Sequence, residues 1–173
     1  STVFSKGSLS VSNPDDITTM GGNIFVGNQN GVGSVGEASN VGILNSNVLE
    51  YNKAGKQIDS WSIAGKCDGL TADPAHHRLI ATVNEDGNSS MYIITPSAVA
   101  SNQVKHITFK AASGKTLPSG GTDSIAIKNG NIYISASAPK ANSKGNFVTA
   151  ALFKAIINSD NTATLTRSEE RRV

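Results

Sequence analysis

Three aspartates recur in matching surroundings along the chain. Asp15, Asp68 and Asp123 stand at steps of 53 and 55 residues, each just ahead of a short apolar run, with Asn28 and Asn84 downstream of the first two. Carboxylates beside amide oxygens make a hard oxygen environment of the kind that holds Ca2+ or another divalent cation, or a polar ligand. An Asp ahead of a strand can equally cap the local backbone through its short side chain, and a repeat copies such a cap into every copy. The residues alone leave both readings open. They nominate no catalytic group: there is no glycine-rich phosphate loop leading into a helix and no Gly-x-Ser-x-Gly elbow. His76 and His77 fall in a turn, and His106 falls within a strand pattern beside Lys105 and Thr108.

The elements that must position these aspartates follow from the repeat itself. Asp15-Asp16-Ile17-Thr18-Thr19-Met20-Gly21-Gly22-Asn23-Ile24-Phe25-Val26 aligns without a gap on Asp123-Ser124-Ile125-Ala126-Ile127-Lys128-Asn129-Gly130-Asn131-Ile132-Tyr133-Ile134, and the copy at Asp68 needs a turn two residues longer. A period of this size is that of a propeller blade, a small four-stranded antiparallel sheet. The expected fold is therefore all-β, a β-propeller fragment of about three blades, spanning 15–65, 66–121 and 122–166. Strands are expected at Asp16–Met20, Asn23–Gly27, Asn47–Tyr51 and Gln57–Ile63; at Leu70–Asp73, Leu79–Val83, Met91–Ile94 and Val104–Phe109; and at Ser124–Lys128, Asn131–Ser135, Ala151–Ile157 and Thr162–Thr166. Residues 1–14 read as the end of a preceding blade, with its last strand at Thr2–Ser5, and a connection. Residues 167–173, Arg-Ser-Glu-Glu-Arg-Arg-Val, match the translation of a sequencing-adapter oligonucleotide, so a non-native tail is expected there.

Because the first two strands of a blade run antiparallel, the start of one and the end of the other share an edge. Asp15, Asp68 and Asp123 are thereby expected beside Asn28, Asn84 and Ser135, on the side from which the long loops 28–46 and 136–149 emerge. Long loops on a rigid scaffold are where binding is found, so a small molecule or protein is expected on that face. The acidic run 84–88 lacks the spacing of an EF-hand loop and reads as a surface turn. On the outer strand, Trp61 and Ile63 alternate with Ser60 and Ser62, which places Trp61 in packing between blades.

Composition narrows the rest. Charged residues are 16% of the chain against a usual value of about 25%, and the net charge of +2 is small and dispersed, which argues against nucleic acid as a partner. Cys67 is the sole cysteine and excludes an internal disulfide or a multi-cysteine zinc site. No stretch is long and apolar enough to read as a membrane span.

Asp68-Gly69-Leu70-Thr71-Ala72-Asp73-Pro74 followed by Arg78-Leu79-Ile80-Ala81-Thr82 resembles the blade motif of NHL-type and related six-bladed propellers. Asn84-Glu85-Asp86-Gly87, with Asp123-Ser124-Ile125-Ala126 and Tyr133-Ile134-Ser135, looks like uncharacterised secreted bacterial propeller proteins. That resemblance implies a non-catalytic binding or interaction module of a larger protein, extracellular or periplasmic, whose remaining blades are partners of these three. The Asp68-Gly69 step also resembles that of gluconolactonase and regucalcin-like lactonases, which implies Asp68 as a metal ligand and a metal-dependent lactonase or hydrolase as the alternative.

Overall fold

The computed structural model describes residues 13–32, 42, 44–84, 89–113, 117, 121–137 and 150–168. The expected strand at Thr2–Ser5, residues 85–88 of the acidic turn, most of both long loops and residues 169–173 lie outside the described residues.

Among the described residues, twelve strands form three four-stranded antiparallel blades, and the fold is all-β, as the repeat predicts. The first blade contains β1 (Pro14–Met20), β2 (Asn23–Asn28), β3 (Asn45–Tyr51) and β4 (Gln57–Ala64). The second contains β5 (Cys67–Asp73), β6 (Arg78–Val83), β7 (Ser90–Ile94) and β8 (Val104–Ala111), and the third β9 (Thr122–Lys128), β10 (Asn131–Ala136), β11 (Ala151–Ile157) and β12 (Thr162–Arg167). Two of the β1/β2-type hairpins close on positive-φ pairs, Gly21-Gly22 and Asn129-Gly130, whose twist matches that of the flanking strands. The middle hairpin instead uses a 3-10 turn at Pro74–His76 with His77 in the left-handed region, which accounts for its two extra residues.

Apolar faces of adjacent blades form two cores. Phe25, Val48, Trp61 and Ile63 of the first blade meet Cys67, Leu70, Leu79 and Ile94 of the second. Ile80, Met91 and Ile107 of the second meet Ile125, Ile134, Phe153 and Leu165 of the third. Trp61 lies between blades as expected, with its ring 6.3 Å from Phe25 and its Nε1–H donated to Gln103 Oε1 at 3.1 Å.

At the hub, the innermost strands β1, β5 and β9 lie side by side. Asp16 is the clip between the first two: its Oδ1 accepts Ile17 N–H of its own strand at 2.8 Å, and its Oδ2 accepts Leu70 N–H of β5 at 2.7 Å. Thr18 Oγ1 takes Ala72 N–H one step along, at 3.2 Å. Between β5 and β9 the fit is closer, for a Cβ on Gly69 would run into the Asp123 carbonyl oxygen and Thr82 Oγ1.

The rim departs from free radial edges. Outer strands β8 and β12 pair in parallel over Thr108–Ala111 and Thr162–Leu165, so the second and third blades make one eight-stranded sheet that curls around its own core. Thr108 N–H donates to Asn161 O at 3.2 Å, Ala112 N–H to Leu165 O at 3.1 Å, and Lys110 Nζ meets Asp160 Oδ2 at 2.7 Å. Among the described residues, the outer strand of the first blade, β4, pairs with β3 alone, and Ser60 N–H there is occupied by Asp59 Oδ1 at 2.7 Å.

Candidate functional site

Each innermost strand carries the same irregularity. Pro14 pairs with Asn28 and Asp16 with Gly27, leaving Asp15 as an extra residue; Cys67 pairs with Val83 and Gly69 with Thr82, leaving Asp68. In the third blade Asp123 and Ser124 together face Ser135, between the pairs Thr122–Ala136 and Ile125–Ile134. All three aspartates therefore sit in a β-bulge, a device that bends the strand and re-aims a side chain.

The start of each bulge is pinned by one recurring backbone bond. Gln29 N–H donates to Asn13 O at 2.9 Å, Asn84 N–H to Lys66 O at 2.8 Å, and Ser137 N–H to Gly121 O at 3.1 Å. The structural counterparts are thus Gln29, Asn84 and Ser137, and the expected set Asn28, Asn84 and Ser135 is out of register at its first and last members. Asn28 is the partner of Pro14, one residue short of that position. Gln29 escapes sequence reasoning because the equivalence becomes visible only once the bulge sets the register.

These polar residues link consecutive blades. Gln29 Nε2 of the first blade donates to Asp68 Oδ1 of the second, and Asn84 Nδ2 of the second donates to Asp123 Oδ1 of the third at 2.8 Å. Thr82 Oγ1 adds a bond to the Asp123 carbonyl at 2.5 Å. Gly121 makes room for this arrangement, because any Cβ there would overlap the Asn84 amide. Among the described residues, Asn28 Nδ2 and Asn84 Oδ1 are buried without a hydrogen-bond partner.

Electrostatically, Asp68 lies between the other two aspartates. Its carboxyl is raised above the ordinary 3.8, first by burial and further by the charges of Asp15 and Asp123; the Asn84 amide and the Lys66 ammonium pull the other way without cancelling it. Asp15 is exposed, and Asp123 is partly buried. The backbone cap at this edge is Asp16 rather than Asp15, while Asp68 and Asp123 accept side-chain amides from the preceding blade. Among the described residues, no group of three or more His, Cys, Asp or Glu side chains could hold a metal ion.

Other candidates have structural surroundings. Cys67 is fully buried, and burial pushes its thiol up to about 12, which leaves it without the thiolate that cysteine chemistry needs. His76 Nδ1 lies 2.7 Å from Asp73 Oδ2, which also accepts Arg78 Nε–H at 2.9 Å, all on the side opposite the aspartates. His106 stacks on Tyr92 at 4.6 Å and meets Ser90 Oγ at 2.9 Å on the outer strands.

No protein-family model matches the chain, and neither does any curated protein. Two solved structures, both mutants of Synechocystis apocarotenoid oxygenase, superpose on it with TM-scores of 0.50 and 0.52 at 14% identity. Each match covers 90% of this chain and 38% of that chain, so the chain spans well under half the length of the structures it resembles. This overturns the NHL-type and lactonase resemblance, and with it the expectation of a non-catalytic module and its lactonase alternative, because the structures matched are oxygenases. The physical reason lies in what the motif encodes: the bulge at Asp68, the close approach at Gly69 and the turn at Pro74 serve the pairing and packing of this blade and specify no ligand.

Proposed function

We propose that the chain supplies a three-blade sector of an oxygenase acting on an apocarotenoid or a related apolar polyene. The observation that carries this reading is the superposition of nearly the whole chain on apocarotenoid oxygenase. Support of a second kind comes from the bulged edge, where three repeats aim Asp15, Asp68 and Asp123 at the side bearing the long loops, with Gln29, Asn84 and Asn28 beside them. Carboxylates held by amides, as Asp68 and Asp123 are, are suited to receiving the hydroxyl or other polar end of an otherwise apolar ligand.

Oxygen chemistry itself needs a redox cofactor, such as a flavin, haem, copper or non-haem iron. Among the described residues no cluster of metal-ligating side chains comes together, so they do not fit an iron or copper centre. The reading therefore assigns to these blades the binding and orientation of substrate, with no oxygen step routed through their side chains.

The test is to titrate the chain with an apocarotenal while following the polyene absorption and the quenching of Trp61 fluorescence. Saturable binding, weakened several-fold in Kd by Asp68→Ala, is the expected result. No saturable binding, or equal binding by the variant, would overturn this reading of the blades.

A further inference from the structure

One cluster outside the aspartate edge is not required by the repeat. The turn between β5 and β6 is longer than its two counterparts, and it closes over a buried carboxylate. Asp73 pairs with Arg78 across that hairpin, where the first and third blades place Met20 with Asn23 and Lys128 with Asn131. Asp73 is only 5% exposed, and its Oδ2 accepts Arg78 Nε–H at 2.9 Å while also meeting His76 Nδ1 at 2.7 Å. A carboxylate that holds a guanidinium offers only acceptors, so the hydrogen of the neutral imidazole stands on Nδ1. Nε2 is left with the lone pair, on a side chain that is 64% exposed.

The chain has three histidines, and the other two lack this arrangement. His106 has its Nε2 turned to Ser90 Oγ at 2.9 Å and one ring face covered by Tyr92 at 4.6 Å. His77 is exposed beside His76 on left-handed backbone, and among the described residues no carboxylate pairs with it.

We infer that His76 Nε2 is the nucleophilic imidazole nitrogen of this chain, a covalent acceptor site for activated acyl groups, with Asp73 as its positioning residue. An imidazole attacks through the lone pair of its neutral ring. A carboxylate on the far nitrogen fixes which atom carries that pair and stabilises the positive charge that develops. In the step, Nε2 forms a bond to the acyl carbon while the bond from that carbon to its leaving group breaks. The electron pair goes to the leaving group, which also takes up, through solvent, the proton released from Nδ1. Arg78 grips the same Asp73 oxygen, so the carboxylate keeps its place as the imidazole changes charge. The inference is independent of the oxygenase reading, which concerns the opposite edge.

The test treats the 173-residue chain with diethyl pyrocarbonate at neutral pH and follows each histidine by peptide mass spectrometry. His76 is expected to be modified about tenfold faster than His77, the scale of one hydrogen bond to a charged group. Asp73→Ala should bring the two to similar rates. Asp73→Asn, which keeps an oxygen for Arg78 without the charge, should fall between and carries the comparison should the alanine form fail to fold. His77 is the internal control, because a general loosening of the turn would speed its modification as well. Proton–nitrogen correlation spectra of the wild type give a reading that needs no variant: in mildly alkaline solution the His76 hydrogen should stand on Nδ1, the form that free histidine disfavours. A hydrogen on Nε2, a His76 no faster than His77, or a lead that survives in both Asp73 variants would each overturn the inference.

Discussion

At the scale of single residues, Asp68 is where electrostatics and architecture meet. Its carboxyl is raised above 3.8, so between that value and its folded value the native state holds a proton that the unfolded chain has released. Stability from this group is therefore complete at acid pH and declines as pH rises through the window, leaving a net cost once the native carboxylate is ionised. Asp68→Asn keeps an oxygen to accept the Gln29 amide and removes the charge. It is expected to be more stable than wild type at pH 7 by up to about 1 kcal/mol, the scale of a partly exposed charge. The advantage should shrink to nothing below the ordinary carboxylate range. Urea denaturation across a pH series checks this, and a variant equally stable at every pH would show that burial does not govern the carboxyl.

At the scale of elements, the strands and their order within each blade were legible, whereas the exact register and the pairing between blades were not. All twelve strands follow from alternation and turn chemistry, with ends that differ by a few residues, because period two and residues such as Asn129-Gly130 are local signals. Gln29 was hidden because an inserted bulge residue shifts every later partner by one, and a bulge leaves no mark in the sequence beyond the Asp itself. The parallel pairing of β8 with β12 was equally hidden, since it joins segments some fifty residues apart through backbone groups common to any sequence. Gly69 could be read as a step of a family motif, yet its reason is steric: the β9 carbonyl of Asp123 and the Thr82 hydroxyl occupy the space of a Cβ. Gly69→Ala is thus expected to cost about 3 kcal/mol, as overpacking against backbone does. A loss below roughly 0.5 kcal/mol in denaturant unfolding, the level of an ordinary surface substitution, would contradict the close approach.

At the scale of the whole molecule, the three blades are not equally secured. The second and third are joined at the hub through β5 and β9 and at the rim through β8 and β12, whereas among the described residues the first is joined at the hub and through the core around Trp61, with no strand pairing at the rim. Local opening free energies follow the number of contacts that must break together. Amides of β2 and β3 are expected to exchange with deuterium at least about tenfold faster than those of β6 and β7, although both pairs are central in their sheets. Equal protection across the blades would mean that the rim pairing adds no cooperativity.

The recurring bond that pins Gln29, Asn84 and Ser137 has a consequence for change over generations or at the bench. In each blade the bond is made by main chain, from the N–H of that residue to the carbonyl of Asn13, Lys66 or Gly121, and owes nothing to the side chain it holds in place. The three positions behave as addresses whose contents can be rewritten. An amide can become a hydroxyl, as Ser137 already illustrates, while the scaffold keeps delivering whatever is written there to the same edge. A selection for new ligands would therefore do best to randomise these three codons together and leave Asp16, Gly69 and Gly121 alone, since those hold the page on which the addresses are printed.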